Sequence, residues 1–102
     1  MSAGKIEEGV ARAIASRAII EFTYHRRRRV VEPHDLGVLH GVTQLLGYQI
    51  EGGSRSGGIP EWRRFEIDAI ENLTVTGRFF ASPRPAWIRR KPQWDRRIAA
   101  VE

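Results

Sequence analysis

From Ala18 to Val75 the chain is a succession of short segments in which apolar and polar residues alternate, interrupted by turn-forming residues. A period of two sends successive side chains to opposite faces, so these segments read as half-buried strands and not helices. Ile20, Phe22 and Tyr24 share one face, while Glu21, Thr23 and His25 share the other. Arg26 and Arg27 form the expected turn. A second strand runs from Arg28 to Val31 and meets Pro33, which lacks an N–H and so implies an edge, bulge or bend. The chain continues extended from Leu36 to Leu39, turns at His40-Gly41, and forms a third strand from Thr43 to Glu51. Residues 52–60, GGSRSGGIP, read as a flexible hairpin connection. A fourth strand spans Trp62 to Ile67, Asp68-Ala69-Ile70 is a short turn, and Leu73 to Thr76 is a fifth strand. Five strands this short, with a bend after the second, favour a small curled sheet or barrel over a sandwich.

The flanks differ in kind. Ile6, Val10, Ala13 and Ile14 fall on one helical face, with Glu7, Glu8, Ala11 and Arg12 opposite, which predicts a helix from Lys5 to Arg17. Gly9 within it costs about 1 kcal/mol relative to Ala, so the helix depends on docking. After Gly77 the composition shifts. Pro83, Pro85 and Pro92 argue against a long helix before Gln93, and Trp94 to Val101 is expected to form two helical turns. The expected organisation is a helix-plus-barrel domain over 1–76 and a basic, Pro- and Trp-containing extension over 77–102.

At 102 residues the chain is one domain by size and is expected to act as a stand-alone module. It has no cysteine, which excludes disulfides and thiolate metal sites. Its first residues, MSAGKIEEGV, carry acids where a signal peptide would need an apolar run, so none is expected, and no apolar run is long enough for a membrane-spanning helix. A cytoplasmic location is the expectation. The net charge is +5, and fifteen of seventeen basic residues are Arg. Residues 1–76 hold ten basic and ten acidic side chains; residues 77–102 hold seven basic against Asp95 and Glu102. The whole excess lies in the extension. Guanidinium presents a planar fork suited to phosphate or carboxylate.

Arg26 to Arg29 could meet phosphate or form a solvated turn. Arg29 has its direction fixed by strand alternation, and with Arg63 it could clamp an anion if the two strands close on one face. The alternative is a pair of structural ion pairs to Glu32 and to Glu61 or Glu66. Tyr24 and Tyr48 could line a pocket or cap the rim of the core. The glycine loop 52–58 matches no phosphate-loop pattern. WIRRKPQW, Trp87 to Trp94, interleaves rings and cations, a combination that suits single-stranded nucleic acid, a tail docked on the barrel, or a partner surface. Homo-oligomerisation through Trp87 or Trp94 is the matching alternative to ligand binding. His25, His34 and His40 lack metal-ligand spacing, and His34 and Asp35, adjacent in an extended stretch, should point to opposite faces. No enzyme activity, metal or cofactor is expected.

Four motifs in order, FTY (Phe22 to Tyr24), RVVEPHDL (Arg29 to Leu36), GVTQLLGY (Gly41 to Tyr48) and RRFEIDAI (Arg63 to Ile70), resemble the WYL domain of bacterial regulators. The similarity covers roughly residues 6–76. It implies an Sm-like or SH3-like five-stranded barrel with a preceding helix, and effector or nucleic-acid binding tied to transcriptional regulation. By position it carries over Tyr24, Arg29, Pro33, Tyr48 and Arg63. The signature Trp-Tyr-Leu is Thr43-Gln44-Leu45 here, and two arginines of the last block are Glu66 and Ala69. The expected ligand is an anion, a nucleotide or a short single-stranded nucleic acid, held by Arg29 and Arg63 with Tyr24 and Tyr48 shaping the pocket.

Overall fold

The computed structural model describes residues 3–53 and 58–102. Helix α1 (Ala3–Ser16) leads into β1 (Ala18–Tyr24), β2 (Arg27–Leu39), β3 (Val42–Gly52) and β4 (Glu61–Glu66). A 3-10 turn at Ile67–Ala69 leads to β5 (Ile70–Phe79), followed by α2 (Pro85–Arg89) and β6 (Arg96–Ala100). All strand pairs are antiparallel. The order is β4-β3-β2-β1-β5, with β6 pairing β2 off this path. The sheet is therefore open among the described residues, ending at β4 and β5, where a barrel would need these two strands to pair. The expected glycine-loop connection falls partly outside the described residues.

The turns follow from local backbone chemistry. His25 and Arg26 both take positive φ, 49° and 66°, as a two-residue hairpin with the native twist requires. The turn thus lies one residue earlier than the sequence predicts, and Arg27 already pairs with Tyr24. His40 and Gly41, at 52° and 77°, repeat the geometry at the expected position. Ile6, Val10, Ala13 and Ile14 are the buried face of α1, as the periodicity predicts. A Cβ on Gly9 would lie 2.9 Å from a methyl group of Leu73, so this helix glycine lets β5 approach. Arg17, at φ 57°, ends the helix.

Pro33 marks the bend in β2. Between Pro33 and Asp35 the pairing with β3 slips: Pro33 faces Gly47 and Asp35 faces Leu46, so His34 is an extra residue, a β-bulge. Before the bulge β2 lies between β1 and β3; beyond it β2 lies between β6 and β3. The sheet thereby acquires two covered faces. On the inner one Phe22, Phe65, Leu45 and Val31 pack with α1. On the outer one residues 80–101 cover the second half of β2.

The extension departs from expectation in one respect. Within the expected helical stretch Trp94 to Val101, residues Arg96–Ala100 form strand β6, because the bulge frees one edge of β2 to pair with them. The prolines act as expected: only a five-residue helix forms before Gln93, with Pro85 in its first turn, where no N–H is required. No helix among the described residues is long and apolar enough to cross a membrane.

Candidate functional site

Strand parity decides what the predicted residues can do together. Arg29 lies opposite Phe22 across β1–β2, and Arg63 alternates with Phe65 on β4, so both belong to the inner face. The Arg29 guanidinium sits 5.5 Å from the Tyr24 ring centre and 5.8 Å from that of Phe65. Arg29 is only 5% exposed. It donates to the Tyr24 carbonyl at 3.0 Å and to Gln49 Oε1 at 3.3 Å, both neutral acceptors, and its Nε has no hydrogen-bond partner among the described residues. Burial pushes its pKa down from the ordinary arginine value, and the nearby charges of Arg63 and Arg27 push it the same way. Arg63 is paired to Glu61, one of the expected carboxylate partners. The expected Arg29–Glu32 pair does not form; Glu32 is on the outer face.

Gln49 is the residue that the motifs pass over. It is fully buried, and its amide donates to the Glu51 and Gly53 carbonyls, both at 3.1 Å, which turns its oxygen toward Arg29. Period-two reading places it on the face of Leu45 and Gly47, so a polar side chain at a core position was the available signal.

Tyr24 is brought to the same end of the sheet, but as part of its wall. Its ring packs edge-on to Phe22 and Phe65, and its hydroxyl accepts the Glu66 N–H at 3.0 Å. Tyr48 is separated from the other three. It faces Glu32 and Trp62 across its two ladders, on the outer face, and lies 4.0 Å under the Arg84 guanidinium.

The outer face carries a second polar cluster, around the bulge. His34 and Asp35 are both fully buried and both touch Trp87, because the extra residue cancels the alternation that would separate them. Asp35 accepts from Trp87 Nε1 at 3.0 Å and from the Arg97 guanidinium at 3.0 and 3.2 Å. Glu32 accepts two bonds from Arg84, at 2.7 and 3.1 Å, and this hydrogen bonding raises the Arg84 pKa. His34 Nε2 faces the Arg84 backbone N–H at 3.1 Å and therefore accepts; Nδ1 then donates to the Glu32 carbonyl at 2.9 Å. Burial accordingly lowers the His34 pKa. The acids of RVVEPHDL thus neutralise two extension arginines. No group of three or more His, Cys, Asp or Glu that could hold a metal occurs among the described residues.

Trp87 is 4% exposed, and Trp94 lies flat against Gly37, where a Cβ would come within 2.3 Å of its ring. Both indoles are used within the chain.

Comparison with known protein families matches residues 6–75 to the WYL domain. The chain belongs to the WYL domain family. Among solved structures, the WYL chain is similar to proteasome accessory factor B/C (PafBC) of Arthrobacter aurescens, at 22% identity and a TM-score of 0.65. The likeness covers 87% of this chain and 15% of that one, and at this identity it shows the fold. No curated protein sequence gives a significant match.

Proposed function

We propose that this WYL domain is a non-catalytic regulatory module, of the kind found in transcriptional regulators, which senses an anion at its inner-face arginines. The ligand class is a nucleotide or a short single-stranded nucleic acid. One observation carries the reading: Arg29 is buried with neutral acceptors only, beside Arg63 and Arg27. An enclosed cation without a carboxylate of its own is costly to the fold, and an arriving phosphate offsets that cost. Tyr24 and Gln49 fix the Arg29 fork, and Arg63 supplies the second charge. Tyr48 then acts at a distance, as the platform for Arg84. The finer architecture we propose is an Sm-like barrel. In support of it, a single 3-10 turn joins the two end strands, β4 and β5, which would be the pair to close such a barrel.

The test is titration of oligo(dT) and of ATP at two salt concentrations, with Arg63→Gln and Arg27→Gln beside the wild type. Affinity should fall with salt by a slope set by the phosphates neutralised, and each substitution should reduce that slope by about one for an oligonucleotide. Salt-independent binding, or none at micromolar protein, defeats the reading. A second reading, a homotypic interaction module, is favoured by Val75 and Phe79, which are 62% and 63% exposed on the end strand β5. Light scattering on Val75→Ser/Phe79→Ser separates the two.

A further inference from the structure

Two arginines without acidic partners among the described residues, one on β4 and one in the extension, share one groove. Three of the seven basic residues beyond Gly77 are neutralised: Arg78 by Glu51, Arg84 by Glu32 and Arg97 by Asp35. Arg89, Arg90, Lys91 and Arg96 have no carboxylate partner within ion-pair distance among the described residues, and neither has Arg64 on β4. Arg64 and Arg90 line a groove of about 280 Å³ between β3–β4 and α2, walled by Trp62 and Trp87, with Leu46 and Pro92 also bordering it. The groove opens along β4, which has no strand on its far side among the described residues.

Its chemistry is apolar inside and cationic at the rim. Stacking of a flat ligand has little ring surface to use, because Trp87 is 4% exposed and already carries a cation on one face. Lys91 lies 4.9 Å over Trp87 and Arg64 lies 5.0 Å over Trp94. Trp62 packs against His34 and Tyr48 at 4.8 and 5.2 Å. Stacked bases need a free ring face. At about 280 Å³ the groove is at the small end of binding pockets. It suits one bulky side chain.

We infer that this groove is a docking site for an acidic peptide segment of a partner protein, with one large apolar residue as its anchor. The anchor enters between Trp62 and Trp87, and flanking Asp or Glu residues meet Arg64, Arg90 and the neighbouring Arg89. This surface is independent of the inner-face arginines, from which the β3–β4 sheet separates it.

The experiment selects a random displayed peptide library on the full chain. Recovered peptides are then measured by fluorescence anisotropy on wild type, Arg64→Glu/Arg90→Glu and Ala86→Trp. Arg64, Ala86 and Arg90 are exposed, so both variants should keep the wild-type circular dichroism and melting temperature, and the steric variant stands alone should the charge variant misfold. Selection should enrich Asp and Glu around a single Leu, Phe or Trp. Both variants should weaken binding about tenfold or more, the charge variant through like-charge juxtaposition. A recovered pool without acidic residues, or peptides that bind the variants within about twofold of wild type, overturns the proposal. So does oligo(dT) binding that the two variants abolish while peptide binding persists, which would make the groove a nucleic-acid surface.

Discussion

His34 ties β2 to the C-terminal extension through a protonation state. Its Nε2 can accept the Arg84 N–H only while unprotonated, and Phe80, Trp62 and Trp87 surround the ring. Burial is the main reason that its pKa falls below the ordinary value, and the neighbouring Arg84 acts in the same direction, against Glu32 and Asp35. A histidine depressed in the folded state binds its proton first when unfolded. The stabilisation is therefore complete above about pH 6.5 and is lost as pH falls through the range below it. Urea midpoints measured from pH 8 downward should decline in the wild type more steeply than in His34→Gln; equal slopes would contradict the assignment. Arg29 supports the opposite kind of prediction. Its two hydrogen bonds go to neutral oxygens, so Arg29→Met loses those bonds but is relieved of burying a charge. Stability should stay within about 1 kcal/mol of wild type, while anion binding is lost. A collapse of the fold in that variant would make Arg29 a structural residue.

At the scale of elements, the bulge at His34 is what joins strand and extension. It turns two consecutive polar residues toward the same indole and frees an edge for β6. The adjoining Gly37 matters because Trp94 lies on its backbone. Gly37→Ala should displace the indole, shift tryptophan emission to longer wavelength and cost about 1–3 kcal/mol, as overpacking does; unchanged emission would show that the ring has room. Much of this architecture is legible in the sequence, since α1, all five expected strands and the His40-Gly41 turn follow from periodicity and local backbone preference. Pro33 announced a bend. What periodicity could not supply was the slip itself. A bulge is fixed by register against β3, and without it His34 and Asp35 are expected on opposite faces. The same gap explains β6: residues Arg96–Ala100 carry no alternation strong enough to announce a strand, and the free edge of β2 decides their conformation. Tyr48 was separated from Arg29 by parity alone, which is countable only once the register of β3 is known. Gln49, by contrast, was countable from the start, as the polar member of a buried row.

For the whole molecule, the deciding relation is between the neutral helix-and-sheet portion and the basic residues that follow it. The family match ends at residue 75, yet His34 and Asp35 are fully buried beneath residues beyond that point. Glu32 and Asp35 are buried acids whose cationic partners, Arg84 and Arg97, lie in the extension. Because the Arg84 and Arg97 side chains are about two-fifths exposed, these pairs are worth less than the roughly 3–5 kcal/mol of a fully buried pair, but losing the arginines leaves two buried carboxylates behind. Truncation would soften this penalty by readmitting water, but it would also remove Phe80, Trp87 and Val101, each nearly buried and each worth roughly 1.5–3 kcal/mol when a large side chain is fully covered. A domain of this size has only about 5–15 kcal/mol to lose. A chain ending at Phe79, which leaves β5 intact, should therefore unfold at a much lower temperature or without a cooperative transition, as followed by far- and near-ultraviolet circular dichroism. A melting temperature within about 4–8 °C of the full chain, the equivalent of 1 kcal/mol, would mean that the sheet and α1 stand alone. The extension would then be an appendage free to leave the sheet, and the acidic-peptide groove, which needs α2 held against β4, would exist only while it stays docked.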